Sequence, residues 1–129
     1  MAWYLDTSAF LKLLVQEGET TALREWFAAH KSVWASQLLR TEALRAAGRL
    51  EIDDTTVERA LAAISLVLPA VSTFFTAGRL DPQELRSLDA LHLAAALELG
   101  DDLEGVVTYG GRMIAGATAA RIPVVSPGA

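Results

Sequence analysis

The stretch SLDALHLAAALELG, Ser87 to Gly100, constrains this chain more than any other. Set on a helix at about 100° per residue, Leu88, Leu91, Ala95 and Leu99 take one side. Ala90, Leu93, Ala94 and Leu97 fill much of the rest, and a helix that is apolar all round belongs in an interior. Asp89 nevertheless sits within it, and a buried carboxylate is costly unless a cation, a charged partner or hydrogen bonds compensate it. The fold must therefore bring other groups to Asp89.

Around this helix the chain alternates short apolar runs with helical patterns. Ala2 to Leu5 reads as a buried strand ending at Asp6, with Asp6-Thr7-Ser8 opening an apolar helix through Val15. A second helix begins at Thr20 or Thr21. Ser32 to Ala35 reads as a strand, and Ser36 opens a third helix towards Leu50. A fourth starts at Asp53 or Asp54, with Val57, Leu61, Ile64 and Leu68 on its apolar stripe and Pro69 as its stop. Ala70 to Ser72 reads as extended chain, Thr73 to Arg79 as a short helix, and Gly100 as the cap that ends the buried helix. Glu104 to Tyr109 and Pro123 to Val125 are strands flanking a helix from Gly110 to Ala119. This order predicts an α/β fold with a parallel sheet covered on both faces, in one domain over 1–129. In such sheets ligands bind beyond the carboxyl ends of the strands. Asp6 and Gly110 fall at that edge; Asp101, Asp102 and Glu104 fall at the other and are set aside.

Composition narrows the chemistry. There is no cysteine, so disulfides and thiolate metal sites are excluded. No apolar run reaches the roughly 18 residues of a membrane span, and the start lacks a basic leader, so a soluble cytoplasmic protein is expected. The formal charge is −5, which does not suit holding nucleic acid by counterion release alone. A hydrophobic fraction of 52% leaves apolar surface for a subunit or peptide interface, with Leu11, Leu14, Leu23, Trp26 and Phe27 as candidates if they are not core.

Two further acids can meet Asp89. Asp6 follows the first strand; its plainer role is an N-cap. Glu42 borders the apolar face of the third helix; its plainer role is a solvated partner of Arg45 or Arg49. For Asp89 the plainer role is a first-turn acid favouring its helix N-terminus, which weakens if the helix starts at Glu84 or Leu85. Three carboxylates in one cleft stay ionised only if cations neutralise them, and oxygen ligands select hard ions such as Mg²⁺ or Mn²⁺. Such ions commonly serve phosphoryl chemistry. His92, one turn past Asp89, reads as a histidine packed on a helix surface rather than a ligand.

The first strand followed by DTSAFLKLL, then SQLLRTEALRA, LRSLDALHLAAAL and VVTYGGRM, resemble in order the motifs of a PIN domain, and more narrowly those of a VapC-type toxin ribonuclease. The resemblance runs over nearly the whole chain. It implies a three-layer α/β/α sandwich around a mainly parallel sheet, Mg²⁺- or Mn²⁺-dependent cleavage of RNA, a homodimer, and inhibition by a cognate VapB-type antitoxin. It implies that Asp6, Glu42 and Asp89 are the acidic metal-site residues, with Thr7, Ser8 and Thr108 hydrogen-bonding the carboxylates or metal-bound water. One departure stands out: the family places a fourth acid after the late strand as T-x-D, and here Thr108-Tyr109-Gly110 puts glycine there. A catalytically weak domain that binds RNA or antitoxin is therefore the alternative. A phosphoacceptor domain is a third, but it wants a lysine after a late strand, and the only lysines are Lys12 and Lys31. Arg45, Arg49, Arg86 and Arg112 are candidate contacts for RNA phosphates.

Overall fold

The computed structural model describes residues 1–129. Five parallel strands form one sheet in the order β3-β2-β1-β4-β5. They are β1 (Ala2–Leu5), β2 (Val33–Ser36), β3 (Ser65–Val67), β4 (Leu103–Val107) and β5 (Val124–Val125). Seven helices connect them: α1 (Thr7–Leu14), α2 (Thr20–Ala29), α3 (Leu38–Arg49), α4 (Asp54–Leu61), α5 (Val71–Gly78), α6 (Ser87–Leu97) and α7 (Gly111–Ala119).

Strand alternation sorts the core into two layers. Leu5, Val33, Ala35 and Val107 pack with Phe10 of α1, Leu23 of α2, Leu39 and Ala43 of α3, and Val57 and Leu61 of α4. Tyr4 and Val106, their neighbours in β1 and β4, pack on the opposite side with Leu93 of α6 and Met113 and Ala117 of α7. The result is the expected three-layer sandwich. The β1–β4 pair aligns Trp3 with Gly105 and Leu5 with Val107, which sets Asp6 beside Thr108 at the carboxyl edge. The Asp6 N–H donates to the Val107 carbonyl at 3.0 Å.

Three expectations need correction. Residues 65–67 are not the end of a helix but an edge strand, paired to β2 with Trp34 opposite Ser65. The helical stripe through Ile64 and Leu68 gives way because pairing with β2 satisfies backbone groups that α4 cannot. Val71 and Ser72 are the first turn of α5 rather than extended chain, and the Thr73 hydroxyl accepts the Ala70 N–H at 3.0 Å. The central helix α6 is shorter than its apolar pattern: it starts at Ser87 and ends at Leu97, and Gly100, at φ 59°, belongs to a following 3₁₀ turn. Burial on α6 spans Ala90 and His92 to Ala96, while Leu88 is 48% exposed.

The candidate interface on the early helices also moves. Leu23 is fully buried, and Leu14, Trp26 and Phe27 pack against the main core. Most of the large apolar side chains left exposed lie elsewhere: Leu68, Val71, Phe74 and Phe75 at and along α5 and Leu88 on α6, with Met1 and Leu50 standing apart from them in sequence. No helix is long and apolar enough to cross a membrane.

Candidate active site

An open cleft of about 240 Å³ lies at the carboxyl edge of β1 and β4. Asp6, Thr7 and Ser8 line it from the start of α1, Glu42 from α3, Asp89 from α6, and Gly110 to Met113 from the start of α7. The three acids, 36 and 47 residues apart in sequence, thus share one cleft. Larger hollows beside α5 and α3 gather no such acids.

Each acid is held differently. Asp6 occupies the N-cap position of α1, yet its side chain makes no capping hydrogen bond. Instead Oδ2 accepts from Ser8 Oγ at 2.9 Å and from Thr108 Oγ1 at 2.8 Å. Thr108 Oγ1 in turn accepts the Gly110 N–H at 3.1 Å, and Ser8 Oγ the Tyr109 N–H at 3.0 Å. The two hydroxyls therefore tie β4 and its turn to the Asp6 carboxylate. Glu42 is not paired to Arg45 or Arg49. Its Oε1 accepts from Thr7 Oγ1 at 2.9 Å and meets His92 Nε2 at 2.5 Å. Burial pushes the Glu42 carboxyl up, but the hydrogen bonds and charge from His92, with Thr7, outweigh it and hold the group below its usual range. Asp89 goes the other way. Burial and then the negative charge of Asp6 raise its carboxyl, against the opposing influence of His92 and Arg112. It also lies in the first turn of α6, where the helix N-terminus favours an anion. Both early readings of Asp89, cleft acid and first-turn acid, hold at once.

Of the four candidate arginines, only Arg112 lines the cleft. Arg45 and Arg49 line a separate hollow with Leu44, Gly48 and Asp54: they share Glu42's side of α3 but lie about one and two turns further along its axis, towards the start of α4. Arg86 is exposed at the N-cap of α6. Lys12 is committed to Glu17 at 3.0 Å and Glu19 at 3.1 Å, which removes it as a phosphoryl-binding lysine.

The donor set is oxygen-rich and acidic, which suits a hard divalent cation. No three His, Asp or Glu side chains form a ready-made metal cage. That is compatible with Mg²⁺, which keeps several waters and takes one or two carboxylates directly. Gly110 leaves room for a fourth acid. A Cβ built there would lie 3.6 Å from Thr108 Oγ1 and 3.9 Å from Asp6 Oδ2, ordinary contact distances.

Sequence reasoning missed Tyr4 and misjudged the setting of His92. His92 is buried rather than at a helix surface, with Tyr4 Oη 2.7 Å from its Nδ1. The signals were there: period 2 places Tyr4 on the same face of β1 as Asp6, and His92 lies one turn from Asp89.

The parallel sheet, its strand order and the acids at its carboxyl edge define a PIN-type fold, and the sequence pattern of the PIN domain family matches residues 3–117. The chain belongs to the PIN domain family. Its relatives there include Ribonuclease VapC47 of Mycobacterium tuberculosis, 39% identical over 98% of this chain and 97% of that protein. Ribonuclease VapC46 of the same species is 40% identical over 98% of each. The fold matches that of M. tuberculosis VapC20, a sarcin–ricin loop cleaving toxin, with a TM-score of 0.76 at 18% identity, covering 97% of this chain and 99% of that one. It also matches a chain of a toxin–antitoxin complex from Klebsiella pneumoniae, with a TM-score of 0.75 at 18% identity over 96% of each.

Proposed function

We propose that this chain is a metal-dependent endoribonuclease of the VapC type, the toxin partner of a cognate antitoxin. The carrying observation is the gathering of Asp6, Glu42 and Asp89 in one cleft, where repulsion by Asp6 helps raise the Asp89 carboxyl. Like charges drawn together at a cost to each other imply a cation in the working state. Asp6, Glu42 and Asp89 would hold Mg²⁺ or Mn²⁺, and the bound ion would activate a water and offset charge on the phosphate. Ser8 and Thr108 orient Asp6, Thr7 orients Glu42, and Arg112, which lines the same cleft, would hold an RNA phosphate by charge-assisted hydrogen bonds. The catalytically weak alternative is not favoured, since relatives matched over nearly the full chain are named ribonucleases. An antitoxin partner is supported by the Klebsiella complex. The exposed apolar side chains on α5 offer surface for that partner or a second copy of the chain.

The test is cleavage of RNA by the purified protein in Mg²⁺, Mn²⁺ or EDTA, beside Asp89→Asn. Metal-dependent cutting that Asp89→Asn abolishes without unfolding is the expected result. An Asp89→Asn variant that cuts at the wild-type rate overturns the assignment.

A further inference from the structure

The two best-held acids share a pattern. Asp6 receives both of its protein donors on Oδ2, and Glu42 receives both of its own on Oε1. Neither Oδ1 nor Oε2 accepts a hydrogen bond from the protein. No buried side-chain oxygen in the structure lacks a partner, so solvent reaches both of these oxygens. Each acid is thus clamped through one oxygen and offers the other. The clamp on Asp6 is made of hydroxyls. The clamp on Glu42 includes an imidazole from a different helix, and that imidazole is itself braced.

His92 is 1% exposed, and its two ring nitrogens are both engaged. A carboxylate only accepts, so the 2.5 Å contact requires the proton on Nε2, pointing at Glu42. The Tyr4 hydroxyl lies 2.7 Å from the other nitrogen, Nδ1: it donates to that nitrogen in a neutral ring and accepts from it in a protonated one. Burial, with the charge of Asp6, keeps that phenol protonated by raising its pKa. Tyr4 therefore braces the ring with Nε2 aimed at Glu42, and in the neutral ring it favours the Nε2–H tautomer. Packing alone does not ask for this. An apolar side chain would fill the same space on α6 without burying two ring nitrogens.

We propose that His92, braced by Tyr4, is a positioning residue: it holds Glu42 by Oε1 so that Oε2 is presented to the cleft for a divalent cation. The proposal rests on the metal-site reading above. Groups that orient metal-binding carboxylates without touching the ion are commonly worth 10–100-fold in affinity.

The experiment is calorimetric titration of the metal-free protein with Mn²⁺, in a double-mutant cycle between His92 and Glu42, with thermal melts as the check on folding. His92→Leu is expected to weaken Mn²⁺ binding by about 10–100-fold. His92→Gln, whose amide still reaches Glu42, recovers most of the loss. In the Glu42→Gln background, His92→Leu changes affinity by less than about twofold, the usual error of additivity. Tyr4→Phe, which keeps the ring and removes only the hydroxyl, shows the same dependence on Glu42 and carries the test if His92→Leu does not fold. ¹⁵N shifts of the metal-free wild type are expected to show a proton on Nε2 of His92. Wild-type affinity in His92→Leu, or an equal loss with and without Glu42, overturns the proposal alone. No Mn²⁺ binding by the wild type, or binding unmoved by Asp6→Asn, overturns the metal-site reading and this proposal with it.

Discussion

Gly110→Asp would return a carboxylate to the one wall of the cleft that lacks it. The backbone accepts the change, since residue 110 sits at φ −81° and ψ 125°, an extended conformation open to any side chain. The built Cβ is 3.9 Å from Asp6 Oδ2, so the new carboxylate falls about 5 Å from that charge. At that separation and an effective dielectric of about 20, two unit charges repel by about 3 kcal/mol. Opposing this, aspartate at the N-cap of α7 gains a few tenths of a kcal/mol over glycine. Removing a glycine from the unfolded chain gains roughly 0.4–1 kcal/mol more. The metal-free variant should therefore be less stable by about 2 kcal/mol at low ionic strength, a fall in Tm of roughly 5–10 °C for a chain of this size. Salt should shrink the difference. Mn²⁺ should offset it, because the added carboxylate tightens the site, and at saturating ion each tenfold fall in Kd stabilises the variant by about 1.4 kcal/mol more than the wild type. The assay is thermal melting in EDTA and in Mn²⁺, at low and high salt. A variant with wild-type Tm in EDTA, and a Mn²⁺ shift no larger than the wild type's, would refute the placement of residue 110 against Asp6.

Two predictions concern stability elsewhere in the same architecture. The Asp89 carboxyl is raised in the fold above its ordinary 3.8, so its contribution is complete below that value and is lost as pH rises through the folded-state pKa. Asp89→Asn should therefore melt higher than wild type at pH 7, with the gain disappearing in melts near pH 3.5. An equal gain at both pH values would mean the charge is not its source. Gly105→Ala should destabilise by about 1–3 kcal/mol, because the added Cβ would lie 2.6 Å from Trp3 Cζ3 and 2.7 Å from the Pro123 carbonyl oxygen. Denaturant unfolding with an unchanged midpoint would contradict that packing.

Much of the fold was legible because its signals are local. Alternating apolar runs and helical patterns announced the parallel sheet, and the strand ends placed Asp6 and Gly110 at its working edge. Where local pattern and pairing disagreed, pairing prevailed. Ser65 to Val67 continue the α4 stripe in sequence, yet they form an edge strand because β2 was free to bond them. The arginines misled for a related reason. Arg45 is on Glu42's side of α3, but a turn of about 5 Å along the axis is enough to move it from the cleft to another hollow.

The acids themselves were readable: an aspartate on an apolar helix, another at a strand end, a glutamate beside a buried face. Sequence determined those residue types and the layers that carry them, because burial preference and period are properties of the segment alone. It could not decide which oxygen of Asp6 or Glu42 is tied back and which is left open. That choice is made by Ser8, Thr108, Thr7, His92 and Tyr4, which arrive from β1, α1, α6 and the turn just after β4. Hydrogen-bond direction between residues 50 to 102 positions apart exists only once the sheet is assembled. The same assembly turned His92, which the sequence already sets one turn from the half-buried Asp89, from a residue read as packing into the partner of Glu42.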